Sequence, residues 1–154
     1  MSHITDVKLK IHDLEALREA ADACGFDFRE GQKTHAWYGR FMRDSAEGME
    51  VARTRGEQNM GKCDHALRSK DHQAGDYEVG VVREDDGSYL LSFDSWGPGR
   101  KLEAAAGAGL SKLKREYAAA TAMKKARTTL GRHGFTVSRE NLPGNRIRVR
   151  ARKR

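Results

Sequence analysis

The residues with the most varied chemistry lie together at Cys63-Asp64-His65. A thiolate and an imidazole are both good zinc ligands, and three further histidines could complete a set of four: His3, His35 and His72. A zinc knuckle, however, has two cysteines separated by two residues, and no second cysteine follows Cys63. We therefore expect no metal site and no cofactor, with Cys63 and His65 as the weak candidates for ligands.

Nucleophilic catalysis is a second chemistry open to the same residues. It needs an imidazole within hydrogen-bond reach of the thiol, a group that orients the imidazole, and donors for the oxyanion. If residues 63–69 form a strand, Asp64 points away from Cys63 and His65. Asp94 also draws attention because it interrupts an apolar stretch, although a hydrogen bond or an ion pair with Arg83 would explain it. The interpretation we favour is a protein without catalytic activity.

Four arginines at alternate positions are the strongest indication of binding. On a strand, Arg146, Arg148, Arg150 and Arg152 would share one face at a spacing of about 6.6–6.8 Å, which suits a phosphate backbone. Such contacts give affinity without sequence preference. The alternative is that charge protects an edge strand from aggregation. Basic residues of the preceding helix could extend the patch: Lys112, Arg115, Lys124, Lys125 and Arg127.

The distribution of charge supports the same interpretation. Residues 1–100 contain 14 basic and 19 acidic side chains, whereas residues 101–154 contain 15 basic and 3 acidic ones. An acidic partner, nucleic acid first among them, is the expected consequence. The alternative function is docking of a host or phage protein through the 35–75 region, with Trp37, Tyr38 and Phe41 as anchors, since aromatic residues dominate interface hot spots.

The elements that must position these residues can be predicted from spacing. Residues 3–11 alternate as a strand, and Asp13 is a suitable N-cap for a helix that ends at Gly25. The pattern then predicts a strand at 26–30 that returns beside the first, another at 35–42, and a long polar loop over 44–62 with at most one short helical turn.

The centre of the chain is predicted to be a hairpin over residues 76–97. Asp86-Gly87 indicates a two-residue turn, which would place Val82 opposite Leu91 and Gly80 opposite Phe93. A long helix begins near Leu110, and residues 135–139 and 146–152 form a second hairpin. The predicted fold is a single α+β domain over residues 1–154: an antiparallel sheet with two helices packed on one face, a ferredoxin-like elaboration.

Composition places few further limits on function. The 154 residues are 33% charged and 38% hydrophobic, and no apolar run reaches the ~20 residues that span a bilayer. With two cysteines and no recognisable signal peptide, we expect a cytoplasmic protein without a membrane partner.

Several segments resemble an uncharacterised family that contains a hypothetical plastid and cyanobacterial protein and small proteins of tailed bacteriophages. They are MSHIT with the following helix, HAWYGRF, GKCDHALR, YEVGVV, DGSYLLSFD, KLKREYAAA and IRVRARKR. The Trp37-Tyr38-Gly39 and Cys63-Asp64-His65 features are closest to the phage branch. The resemblance implies a cytoplasmic protein of a phage or its host, and implies no activity.

Overall fold

The computed structural model describes residues 3–154, which form a five-stranded sheet, a separate two-stranded sheet and four α-helices. In chain order the elements are β1 (Ile4–Ile11), α1 (Leu14–Ala23), β2 (Phe26–Arg29), α2 (Ala46–Arg55), β3 (His65–Ser69), β4 (Val79–Arg83), β5 (Tyr89–Asp94), α3 (Gly99–Ala106), α4 (Ser111–Leu130), β6 (Phe135–Leu142) and β7 (Arg146–Lys153). The predicted α+β class is confirmed.

The larger sheet has the order β1-β5-β4-β3-β2, and all neighbouring strands are antiparallel. The prediction that β2 returns beside β1 is wrong, because α1 crosses the sheet and carries the chain to the opposite edge. The element order also departs from the β-α-β-β-α-β order of a ferredoxin-like fold, because α2 lies between β2 and β3 and three consecutive strands follow it. β4 and β5 are interior strands, as the apolar residues on both their faces indicated.

One face of the sheet is covered by helices and forms the main core. α1 and α4 pack there as predicted, and α3 joins them, so that Leu17, Leu102 and Leu113 are buried against the strands. Asp13 caps α1 by accepting a hydrogen bond from the Ala16 N–H at 3.0 Å. The helix pattern of the sequence therefore located this layer correctly.

The β4–β5 hairpin is shifted by one residue from its predicted register. Val82 lies opposite Leu90, and Gly80 lies opposite Ser92. The loop has three residues rather than two, because Glu84 N–H still donates to Ser88 O at 2.8 Å and Gly87 takes a positive φ of 81°. A type I turn followed by a left-handed glycine gives this three-residue loop.

Two further predictions before β3 are wrong. Residues 35–42 do not form a strand, and the predicted loop over 44–62 contains α2 and a 3-10 turn at Glu57–Asn59. α2 has the N-cap Ser45, yet only two of its residues are buried, so the sequence shows no helical period. Its Val51 joins a small second core with Ile4 and Met60 on the opposite face of the sheet.

The β6–β7 hairpin packs on α4 and forms a two-stranded sheet that is separate from the larger one. Its predicted strands are confirmed and extended to eight residues each. On the face toward α4, Arg139 Nη1 lies 2.7 Å from a Glu116 carboxylate oxygen, and Val137 and Val149 are half-buried. The other face of the hairpin is turned away from the protein.

Candidate nucleic-acid interface

The outward face of the β6–β7 hairpin carries the four alternating arginines. Residues directly opposite each other in an antiparallel pair share a face, and here each arginine faces a residue of β6. The pairs are Thr136 with Arg152, Ser138 with Arg150, Glu140 with Arg148, and Leu142 with Arg146. We call these eight residues the arginine face; six of them are exposed, Leu142 and Arg150 are half-buried, and none belongs to either hydrophobic core.

Glu140 is the single acidic residue on the arginine face. One of its carboxylate oxygens lies 3.3 Å from Arg150 Nε and 3.6 Å from Arg148 Nη1, and all three side chains are 40–46% exposed. Arg146 Nε donates to the Pro143 carbonyl oxygen at 3.2 Å. One carboxylate is thus shared between two guanidinium groups, which leaves a net positive surface.

The arginine face belongs to the segment that holds the whole net charge of the protein. Residues 131–154 contain 8 basic and 1 acidic side chains, a net charge of +7, which equals the value for the full chain. Residues 1–130 contain the other 21 basic and 21 acidic side chains and are neutral overall. The net positive charge therefore belongs to one segment of the chain, and any acidic partner would be attracted to that segment.

Two of the five basic residues of α4, Lys124 and Lys125, do not extend the arginine face. Lys124 Nζ contacts Asp13 at 2.8 Å and Glu15 at 2.7 Å, and these hydrogen bonds raise the pKa of Lys124. Lys125 follows Glu116 by nine positions, which is about 180° around a helix, so it points away from the hairpin. The other three flank the packed side of α4: Lys112 and Arg115 near Cys24, and Arg127 at a cavity of about 310 Å³ beside Val137.

Cys63 and His65 have separate environments. The buried Cys63 Sγ donates to the Gln32 carbonyl oxygen at 3.2 Å and lines a cavity of about 680 Å³ on the side of the sheet away from α1. His65 Nδ1 accepts the Gly31 N–H at 3.0 Å, and its ring packs near Phe28, on the side of the main core. Each residue therefore has a structural role in which its polar group is satisfied within the fold.

We expect Cys63 to be unreactive in the native protein. Burial raises the pKa of its thiol to about 12, from an ordinary value of 9.0. At pH 8 the thiolate fraction is about 1,000-fold smaller than that of a free thiol, and the higher nucleophilicity of a more basic thiolate offsets part of this. A chromogenic disulfide reagent should therefore react roughly 100-fold more slowly than with a free thiol. Both cysteines should react at once after denaturation. Rapid release of chromophore by the native protein that Cys63→Ser abolishes would contradict the prediction.

The three predicted anchors for a protein partner are divided between two environments. Trp37 and Phe41 are half-buried and pack against the second core, whereas Tyr38 is 41% exposed and lies edge-on to Trp96 at 6.0 Å. Met42 and Met49 are the other large exposed apolar residues in the described part of the chain. Docking of a protein through the 35–75 region stays a prediction that depends on Tyr38.

Asp94 is fully buried and accepts three backbone hydrogen bonds instead of pairing with Arg83. Its carboxylate receives the N–H groups of His3 and Trp96 at 3.0 Å each and that of Tyr38 at 3.3 Å. It thus connects the start of β1, the 35–42 segment and the end of β5. Asp94 therefore has a structural role, which the residues next to it in the sequence do not indicate.

A buried polar layer on the side of the sheet away from α1 was missed by sequence reasoning. Arg55 Nη2 donates to Asp6 Oδ1 at 2.9 Å and to Ser92 Oγ at 3.0 Å. Glu78, 2% exposed, accepts from Arg68 Nε at 2.6 Å. Asp6 and Ser92 are paired in the register of the sheet, and Arg55 reaches them from the end of α2, so no local sequence pattern indicates the contact.

His35 lies in the same layer and is 4% exposed. Neither of its ring nitrogens has a hydrogen-bond partner among residues 3–154. Its ring rests on the backbone of Gly80, where a Cβ atom would overlap it. Gly80, a glycine inside β4, is the feature of the sequence that indicates a close approach, although the sequence does not identify His35 as the partner.

The chain matches no protein-family model, no curated protein and no solved structure. The resemblance to a phage and plastid family therefore stays a prediction. Within residues 3–154, no three His, Cys, Asp or Glu side chains are grouped so that they could hold a metal ion. In the same range, no helix is long and apolar enough to cross a membrane.

Proposed function

We propose that this protein is a non-catalytic, phage-type accessory protein of the host cytoplasm that binds nucleic acid through the β6–β7 hairpin. The observation that carries the proposal is the arginine face: four alternating arginines turned to solvent, on the segment that holds the full net charge of +7. The proposal concerns the hairpin rather than α4, because Lys124 is bound to Asp13 and Glu15.

Phosphate contacts of this kind draw their affinity from the release of counterions. Each neutralised phosphate of duplex DNA contributes about −0.9 to the slope of log K against log salt concentration. Extended strands place the arginines about 6.6–6.8 Å apart, so several can contact one polynucleotide at once. The arginine face has no aromatic residue, which argues against base stacking of the single-strand type.

The double substitution Arg148→Glu with Arg150→Glu tests the proposal. We expect binding to a generic duplex at about 50 mM salt to weaken on the order of 100-fold, and the salt slope to become shallower, because two positive charges that displace counterions are replaced by negative ones. Fluorescence anisotropy over a salt series measures both quantities. Circular dichroism checks that the variant remains folded.

The matched control is Arg29→Glu with Arg100→Glu, which changes the net charge equally. Both arginines are exposed, and neither makes an ion pair with any residue of 3–154. We expect this control to keep the salt slope of the wild type. Absence of binding by the wild type at low salt, or an equal loss in both variants, would refute the proposal.

A further inference from the structure

The shape of the hairpin defines which nucleic acid it fits. β6 and β7 are eight residues each, about 27 Å long, and lie about 4.8 Å apart. The major groove of B-DNA, about 12 Å wide and 8.5 Å deep, admits a two-stranded β-ribbon of this kind. α4 supports the ribbon from behind, so its outward face can enter a groove without exposing the core.

The chemistry of the arginine face suits base edges as well as phosphates. Arginine can donate two hydrogen bonds to O6 and N7 of guanine, and glutamate can accept one from N4 of cytosine. Ser138 and Thr136 add hydroxyl groups that can contact either kind of base. Glu140, at the centre beside Arg148 and Arg150, would only weaken a surface that bound phosphates alone.

We propose that the β6–β7 ribbon binds in the major groove of double-stranded DNA and recognises G·C base pairs through Arg148, Arg150 and Glu140. The inference rests on the proposed function and specifies its substrate. Phosphate contacts from the outer arginines, Arg146 and Arg152, position the ribbon, and the central residues discriminate between bases.

The experiment compares G·C-rich and A·T-rich duplexes of equal length at one salt concentration. We expect tighter binding to the G·C-rich duplex by about tenfold or more, the range for one or two bidentate contacts. Replacing guanine by 7-deazaguanine, which lacks the N7 acceptor, should abolish most of this preference. Protection of guanine N7 from methylation by dimethyl sulfate maps the contact directly.

A charge-preserving variant separates base recognition from phosphate binding. Arg148→Lys with Arg150→Lys retains both positive charges but loses the planar fork that binds guanine. We expect it to keep the salt slope while losing the G·C preference. The control, Arg29→Lys with Arg100→Lys, should retain both properties.

The possible failures are distinguishable. Equal affinity for all duplexes, with the Arg148→Glu and Arg150→Glu double variant still weakening binding on the order of 100-fold, overturns groove recognition and leaves the proposed function intact. Tighter binding to single strands, to duplex RNA with its narrow major groove, or to anionic lipid vesicles also overturns the inference. No binding to any nucleic acid overturns both proposals.

Discussion

Asp94→Ala is expected to lower the free energy of unfolding by about 4 kcal/mol. The substitution leaves three backbone N–H groups, those of His3, Tyr38 and Trp96, without their common acceptor in a buried position. Hydrogen bonds to a charged group contribute about 1.5–3 kcal/mol each, and the freed amides recover part of that from water. Urea denaturation, followed by tryptophan fluorescence, measures the change.

Asp94→Asn should have an intermediate effect, because one oxygen still accepts two of the bonds while the amide nitrogen faces a donor. Asp27→Ala is the matched control, since Asp27 is exposed on β2 and its side chain makes no hydrogen bond within residues 3–154. A loss of less than about 1 kcal/mol in Asp94→Ala would show that the carboxylate does not hold these segments together.

The second large effect is a loss of stability in acid that arises from His35. Burial, and to a lesser extent the charge of Arg55, lowers the pKa of His35 from 6.5 to about 4. Between these values the unfolded chain binds more protons than the folded one, so stability decreases as the pH falls. A shift of this size corresponds to about 3 kcal/mol, lost between pH 6.5 and pH 4.

The variant His35→Phe should remove this part of the pH dependence. An apolar ring of similar shape in this site leaves no buried nitrogen unpaired, so we expect stability at pH 7 to be equal to or higher than that of the wild type. Denaturation of both proteins at pH 7, 5.5 and 4 gives their free energies of unfolding. The contributions of the other titrating groups cancel in the difference between the two proteins at each pH. Parallel pH curves would disprove the assignment to His35.

The features that could be predicted from the sequence are those whose pattern lies within a single helix or strand. Asp13 as an N-cap, the apolar stripe of α4 and the alternation in β7 each depend on neighbouring residues. α2 was not predicted because few of its residues besides Val51 are buried, so its sequence has no helical period of apolar residues. The β4–β5 register was wrong by one residue because Gly87 can serve either a two-residue or a three-residue loop.

The candidate site could be predicted only in part for the same reason. Alternation placed the four arginines on one face, and the structure has them there. The helical basic residues could not be assigned from the sequence, since the contact of Lys124 with Glu15 joins residues 109 positions apart. The buried polar layer escaped notice because its pairs, such as Asp6 with Arg55, are formed by tertiary structure alone.

The position of the arginine face outside both hydrophobic cores has a consequence for how the protein can change. None of its eight residues belongs to the cores that hold the five-stranded sheet and its helices together. Substitutions there should leave folding largely unaffected, so selection can alter the chemistry of this face without a compensating change elsewhere. The same separation makes the hairpin a natural position for engineering new specificity onto a stable scaffold.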